Sequence, residues 1–294
     1  MPTLVLASPA KINLTLEVLA RRADGYHGVR TLIAPLDLSD EIRIEPSPRF
    51  VFTCNVGDLQ NSDNLVVAAL RALGDLPPIA LHLEKRIPVQ AGLGGGSSNA
   101  ATILRAAMEG AFGEPQQRDW LRVAHTLGSD VPFFLAGTAA LVEGTGERVT
   151  PAGALPDWHA LVIKPPVAVS TADAYRELDD AERPTRPRKG CVSIAALEAL
   201  QRFDFERLAA LLQNDFQEPI ARRHPEIRIA LDGLREAGAQ NALLAGSGAC
   251  VFSLAETRER LEILASRLQL PADYLRFSTR FAETPQWREP CSTP

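Results

Sequence analysis

Residues 88–101 read PVQAGLGGGSSNAA: four glycines among five residues (Gly92, Gly94, Gly95 and Gly96), then Ser97, Ser98 and Asn99, then alanines. Without a Cβ the chain wraps closely around a ligand, and several successive N–H groups converge on one point. A helix starting at Ser97 or Ser98 adds unpaired N–H groups and the positive end of its dipole. Together these make an anion site suited to the phosphates of a nucleotide, with the Ser97 and Ser98 hydroxyls available to a phosphate or to its magnesium ion. The plainer alternative, a tight turn with a serine N-cap, needs one or two glycines rather than four. The pattern is not GxxxxGK[ST], because Ser97 and not a lysine follows the last glycine. Nor is it GxGxxG: counted from Gly92 the last glycine slot holds Ser97, and counted from Gly94 it holds Asn99. Phe112 and Gly113 stand where a dinucleotide site would carry an acidic residue.

A phosphoryl-transfer site also needs positive charge on the moving group, a metal, and an aspartate or similar group to orient or deprotonate the attacking hydroxyl. In SPAKINLTL, Lys11 and Asn13 share one face of a strand, because side chains alternate. A lysine on an exposed strand face is ordinarily just solvated. In GSDVPFFLAG, Asp130 lies in a loop between Gly128 and Pro132, where a helix or turn cap is the competing role. In ADGYHGVRT, Tyr26 and His27 follow Gly25 on a loop after the first strand. An aromatic and an imidazole there suit a flat ligand such as a base; an ordinary turn with a packed tyrosine is the alternative. Spacing alone does not bring Lys11 and Asp130 together.

The elements that must position these residues follow from periodicity. Leu14, Leu16 and Val18 alternate with Asn13, Thr15 and Glu17, which predicts a half-buried strand. Residues 31–38 and 40–44 predict two further strands joined by a polar turn. A helix over 64–73 follows Ser62 and Asp63 as cap candidates. A strand over 79–85 leads into the glycine loop, and a helix over 98–112 leaves it. Another helix, 120–127, stops at Gly128, and 138–142 with 147–150 form a hairpin around EGTG. TPAGALPDW (150–158) is a proline-rich hinge, after which 160–163 starts a second unit as a strand. Helices then run from Thr171 through Gly238, interrupted at 184–187. Gly246, Ser247 and Gly248 precede a strand (250–254), a helix (257–268) and a last strand (274–281). Strands mixed with helices in both halves predict two lobes with a cleft between them.

Bulk composition narrows the class. The 294 residues are 46% hydrophobic and 23% charged, an ordinary globular mixture, and the net charge of −5 gives no general pull towards nucleic acid or anionic membrane. RPTRPRKG (183–190) is basic, but its prolines mark a solvated linker. Cys54, Cys191, Cys250 and Cys291 form no CxxC pair, which disfavours a zinc site or disulfide framework and fits a reducing cytoplasm. MPTLVLASPAKINLTLEV lacks the charged and apolar regions of a signal peptide. The longest apolar run, 131–142, is broken by Gly137 and Thr138 and is too short to span a bilayer. No nucleic-acid or membrane partner is expected, and a homodimer is compatible with the sequence.

The succession PAKINL, RADGYH, PVQAGLGGGSSNAA, GSDVPFF and LLAGSGACVF resembles the GHMP kinases, the family of galactokinase, homoserine kinase, mevalonate kinase and phosphomevalonate kinase. The likeness covers nearly the whole chain, with gaps at 44–60 and 180–215. PAKINL and ADGYH together are similar to the branch of the family acting on a cytidylyl-methylerythritol in non-mevalonate isoprenoid biosynthesis. The resemblance implies an α+β, two-lobed fold. An N-terminal lobe like ribosomal protein S5 domain 2 would cover 1–155 and bind ATP, and a ferredoxin-like α/β lobe would cover 156–294. It implies transfer of the γ-phosphate of ATP, with Mg2+, to the 2-hydroxyl of 4-(cytidine 5'-diphospho)-2-C-methyl-D-erythritol. Another small-alcohol kinase of mevalonate or homoserine type is the alternative. Lys11 and Asp130 match the family's catalytic pair. Pro88, Val89, Gln90, Ala91, Gly92, Leu93, Gly94, Gly95, Gly96, Ser97 and Ser98 match its ATP loop, and the Mg2+ would come with ATP, met by Ser97 or Ser98. Asn13, Tyr26 and His27 match positions holding the cytidylyl substrate, and Tyr175 in PPVAVSTADAY falls where an aromatic stacks on the cytosine. Gly246, Ser247 and Gly248 match the third glycine-rich motif, close to the phosphates. Gln90 and Ala91 depart from the glycine and methionine often seen before the loop, and 179–190 is unusually basic and proline-rich.

Overall fold

The computed structural model describes residues 3–21, 27–74, 76, 78–113, 117–180 and 191–283. Tyr26 and the basic stretch 183–190 therefore lie outside the described residues. The chain opens with two long strands, β1 (Leu4–Arg21) and β2 (His27–Pro46), followed by β3 (Val51–Cys54), α1 (Leu65–Leu73) and β4 (Ile79–Glu84). Next come α2 (Gly95–Met108), α3 (Trp120–Leu127), α4 (Val131–Ala136) and the hairpin β5 (Ala140–Gly144) with β6 (Arg148–Pro151). β7 (His159–Lys164), α5 (Thr171–Asp180), α6 (Val192–Gln201), α7 (Phe205–Leu211), β8 (Gln213–Asn214) and α8 (Gln217–Arg223) follow. The described part closes with α9 (Pro225–Glu236), β9 (Leu243–Leu244), β10 (Val251–Ala255), α10 (Arg258–Arg267) and β11 (Leu275–Arg280).

Two sheets result. The first has β3, β4, β2, β1 and β8 in order, with β5 on β2 and β6 on β5; the second runs β11, β7, β10, β9. β1 is not half-buried as its alternation predicts. Asn13, Thr15 and Glu17 are buried along with Leu14, Leu16 and Val18, because both faces of this strand are covered. Ile12 and Leu14 pack with Ala160, Val162, Leu200 and Phe252 from the second half of the chain. The two strands expected at 31–38 and 40–44 are one continuous β2, and the aspartates flanking the expected turn at Ser39 have tertiary partners. Asp37 accepts hydrogen bonds from Thr279 Oγ1 and the Arg280 N–H. Asp40 is 1% exposed and binds the segment after β4.

Local signals held where they rest on the backbone of one element. α3 ends against Gly128, whose N–H reaches Ala124 O, and β5 pairs antiparallel with β6 around the EGTG turn. α1 is capped by Asn64, not by Ser62 or Asp63: Asn64 Oδ1 accepts from Val66 N at 3.0 Å, and Nδ2 donates to Leu59 O at 2.9 Å. α2 begins three residues earlier than expected, at Gly95, and its N-cap is Gly94 in the left-handed region (φ +71°) with no side-chain cap. Only a residue without a Cβ adopts that conformation cheaply. Among the described residues no helix is long and apolar enough to cross a membrane.

Candidate active site

A cleft of about 690 Å3 is lined by residues of both halves, among them Lys11, Asn13, Gly92, Asp130, Tyr175 and Ser247. That is within the usual range for a small-molecule site. Its floor is the glycine loop. Gly92 and Gly94 have φ of +73° and +71°. A Cβ at Gly92 would lie 1.9 Å from Ala245 O, and one at Gly94 would lie 2.9 Å from Lys11 Cγ. These two glycines are thus required by close approach as well as by conformation. Two backbone hydrogen bonds stitch the loop to opposite sides: Lys11 N–H to Leu93 O (3.0 Å) and Cys250 N–H to Ala91 O (3.1 Å). The first arises because the β1–β2 register shifts between Pro9 and Lys11. An irregularity of this kind releases a ladder N–H and re-aims the side chain.

The first helical bond of α2 is Ser98 N–H to Gly94 O, 2.9 Å. The N–H groups of Gly95, Gly96 and Ser97 therefore stand outside the helical ladder, at the positive end of a 14-residue helix. Gly95, Gly96 and Ser97 all line the cleft, as do Pro88, Val89, Gln90, Ala91, Leu93 and Gly94. Ser98 does not. It is fully buried, and its Oγ accepts from Ser8 Oγ at 2.9 Å. Ser97, one residue and about 100° around the helix from Ser98, does line the cleft.

Lys11 is 4% exposed, not solvated, and its Nζ lies 2.7 Å from Asn13 Oδ1 and 3.4 Å from Asp130 Oδ2. Asn13 Nδ2 donates to Thr31 Oγ1 (2.8 Å), which donates to Thr15 O (2.6 Å). The chain of bonds fixes the amide so that its oxygen faces the ammonium. Asp130 occupies the N-cap position of α4 but makes no side-chain cap bond, and its side chain is 36% exposed to the cleft. Gly146 (φ +108°) presses on Ser129, where a Cβ would come within 2.1 Å of the carbonyl oxygen, so the EGTG hairpin backs the loop that carries Asp130.

Tyr175 lines the cleft and stacks on His27, with ring centroids 5.7 Å apart and planes 16° from parallel. It also meets Phe216 edge-on at 5.0 Å. Burial pushes the Tyr175 phenol pKa up, and the Asp130 and Asp179 carboxylates add to the shift. His27 is held from both ring nitrogens, Nδ1 at 3.0 Å from Leu19 O and Nε2 at 3.1 Å from Asp179 Oδ1, and is 7% exposed. Gly246, Ser247 and Gly248 face the loop across the seam. Asn214 Nδ2 donates to Leu244 O and Gly246 O, and Ser247 Oγ meets Thr171 Oγ1 at 3.1 Å. Sequence reasoning missed Leu59, Asn64, Leu65 and Lys85, which line the same cleft. In the sequence Asn64 and Leu65 mark only the start of a helix and Lys85 only the end of a strand, and none of them carries a motif of its own.

A family model described as GHMP kinases N terminal domain matches residues 64–138, and one described as GHMP kinases C terminal matches 196–272. The chain belongs to the GHMP kinase family. It is therefore a phosphotransferase, and ATP is the donor that family uses. This kinase is similar to a 4-diphosphocytidyl-2-C-methyl-D-erythritol kinase of Deinococcus radiodurans, 39% identical over 89% of the chain and 87% of that relative. A relative of the same name in Lachnoclostridium phytofermentans is 36% identical over 97% of the chain and 99% of that protein. Among solved structures, a 4-(cytidine 5'-diphospho)-2C-methyl-D-erythritol kinase superposes with a TM-score of 0.77 at 35% identity, over 95% of the chain and 99% of that structure. The homoserine kinase of Cytophaga hutchinsonii matches at 0.71 with 18% identity, over 98% of the chain and 97% of its own, a likeness of fold alone. The two-sheet α+β architecture of this kinase is the GHMP kinase fold.

Proposed function

We propose that this kinase transfers the γ-phosphoryl group of ATP to the 2-hydroxyl of 4-(cytidine 5'-diphospho)-2-C-methyl-D-erythritol, as the names of its relatives suggest. The observation that carries the chemistry is the Lys11–Asp130 pair, 3.4 Å apart, standing in one cleft with the exposed amides of the glycine loop. The N–H groups at the start of α2 would receive the β- and γ-phosphates. Lys11, placed by Asn13, would meet the negative charge of the transferring group. Asp130 would orient the attacking hydroxyl or accept its proton; in a loose transition state positioning is the larger share. Tyr175, with His27 stacked behind it, would hold the cytosine, and Asn13 would help hold the alcohol.

Among the described residues no group of three or more His, Cys, Asp or Glu stands ready to hold a metal ion, while Ser97 lines the cleft. That donor set fits a Mg2+ carried in on the nucleotide, which keeps waters and phosphates as most of its ligands. Bound there, Mg2+ would neutralise charge shared between the β- and γ-phosphates. The free thiols Cys54, Cys191 and Cys250 fit a reducing compartment such as the cytoplasm. A two-lobe division at 155/156 fits the two sheets, with β8 as an exchange between them.

The test is an ATP-consumption assay on the purified chain with the cytidylyl alcohol, and in parallel with mevalonate and homoserine. Turnover confined to the cytidylyl alcohol is expected. Equal or better turnover of either small alcohol would transfer the assignment to another branch of the family.

A further inference from the structure

The carboxylate of Asp40 is fully enclosed, yet it takes no part in the chemistry proposed above. Its Oδ1 accepts from Arg86 N–H and Ile87 N–H, both at 2.8 Å. Its Oδ2 accepts from Asn99 Nδ2 at 2.9 Å and from Lys85 Nζ. Asn99 Nδ2 is shared with Ser8 Oγ (2.9 Å), the residue opposite Asp40 in the β1–β2 ladder, and Ser8 Oγ donates to Ser98 Oγ. One buried charge thus grips residues 85–87, where the chain enters the glycine loop, and Asn99, where it leaves, with Ser98 tied in through Ser8. Lys85 lines the cleft, and its ammonium lies against the first residue of α2: a Cβ on Gly95 would stand 2.9 Å from Lys85 Nζ.

A carboxylate removed from water persists only where its hydrogen-bonding capacity is filled. Here it is filled by the two ends of a loop whose interior glycines give it no rigidity of their own. We propose that Asp40 is a positioning residue that holds the glycine loop in its nucleotide-binding shape. The proposal rests on the reading that ATP binds this loop. An ordered loop binds without first losing chain entropy, and small displacements at a reacting centre cost rate steeply. Removing the charge leaves the enclosed Lys85 ammonium without its carboxylate, with the neutral Asn99 Oδ1 at 3.4 Å still beside it. The entry segment then moves, and the amides of Gly95 and Gly96 lose their common aim.

The experiment compares Asp40→Asn and Ser8→Ala with the parent chain, measuring KM for ATP, KM for the cytidylyl alcohol and Tm. Asp40→Asn is expected to raise KM for ATP by about tenfold or more while KM for the alcohol changes less than about twofold. Ser8→Ala should show the same selectivity at about threefold, and it decides the matter if Asp40→Asn does not fold. A fall in Tm with both KM values unchanged makes Asp40 a purely structural anchor and overturns the proposal. Amide exchange over residues 92–97, with and without a non-hydrolysable ATP analogue, separates the two levels. Absent protection in the parent chain overturns the nucleotide reading and the proposal with it. Protection there, combined with an unshifted KM for ATP in both variants, overturns the role of Asp40 alone.

Discussion

Lys11 and Asp130 show how little a residue's identity says before its neighbours are known. A lysine in PAKINL has a solvated strand face as its ordinary place, and an aspartate before Val131 has a helix cap. The structure denies both: Lys11 is enclosed beside Asn13, and Asp130 caps nothing with its side chain. Asp130→Asn and Lys11→Ala should each lower kcat by about a hundredfold or more, the usual scale for such groups. Steady-state turnover with both substrates saturating checks this, and near-normal kcat in either variant would remove that residue from the mechanism. Asp130 is 36% exposed and makes no cap bond, and without its charge Lys11 still has Asn13 Oδ1 at 2.7 Å, so the asparagine variant should keep the parent Tm within a few degrees. Tyr175→Ala strips the ring that faces the cleft and stacks on His27. It should raise KM for the cytidylyl alcohol by about tenfold, at the 1–3 kcal/mol scale of base–aromatic stacking, and leave KM for ATP in place. A shift in both KM values would show that Tyr175 shapes the cleft as a whole.

At the scale of elements, the glycine loop separates stability from binding at two positions four residues apart. Gly96 lies in the first turn of α2, where a Cβ would meet only Leu65 Cδ1 at an ordinary 3.5 Å. Gly96→Ala should leave Tm unchanged or raise it, because alanine is worth up to ~1 kcal/mol over glycine in a helix. The same methyl stands where phosphate oxygens would approach, so KM for ATP should rise. Gly92→Ala meets Ala245 O at 1.9 Å and a positive φ, and should lower Tm and raise KM for ATP together. Thermal melts and ATP titrations on the pair check the contrast. The loop, α3 and the β5–β6 hairpin were legible because their signals are local: Gly128 stops α3, and EGTG turns the hairpin. The continuity of β2 was not, because the polar run Asp37–Ser39–Asp40 reads as a break between two strands until Thr279, Arg280 and Arg86 are found bound to its aspartates. The burial of Asn13, Thr15 and Glu17 was hidden for the same reason. Each faces a partner far along the chain, Thr31 for Asn13 and Ser193 for Thr15 and Glu17, and no periodicity encodes that.

At the scale of the whole molecule, the two sheets share a core across residue 155. Ala10, Ile12 and Leu14 of β1 pack with Val162, Ala196, Leu200 and Phe252, all past that point, and Asn214 of β8 completes the edge of β1's sheet. A fragment ending at residue 155 would expose that face, so it should fail to give a cooperative melt, while the full chain unfolds in a single transition. Phe252 is fully buried there, and Phe252→Ala should cost about 3–5 kcal/mol. Scanning calorimetry of the chain, the fragment and the variant tests all three expectations; two resolved transitions in the parent would mean the halves fold independently. The kinase was recognisable in outline from five short motifs, but its interdependence was not. The seam where Leu93 and Ala91 accept from Lys11 and Cys250 ties the glycine loop to β1 on one side and to the residue before β10 on the other. Relative motion of the two halves is therefore expected to be smallest at the glycine loop and larger where Thr171 Oγ1 meets Ser247 Oγ, a difference that amide exchange at the two places would read. If the proposed reading holds, substrate would enter and product depart past that hydroxyl contact, while the glycine loop keeps its place beneath them.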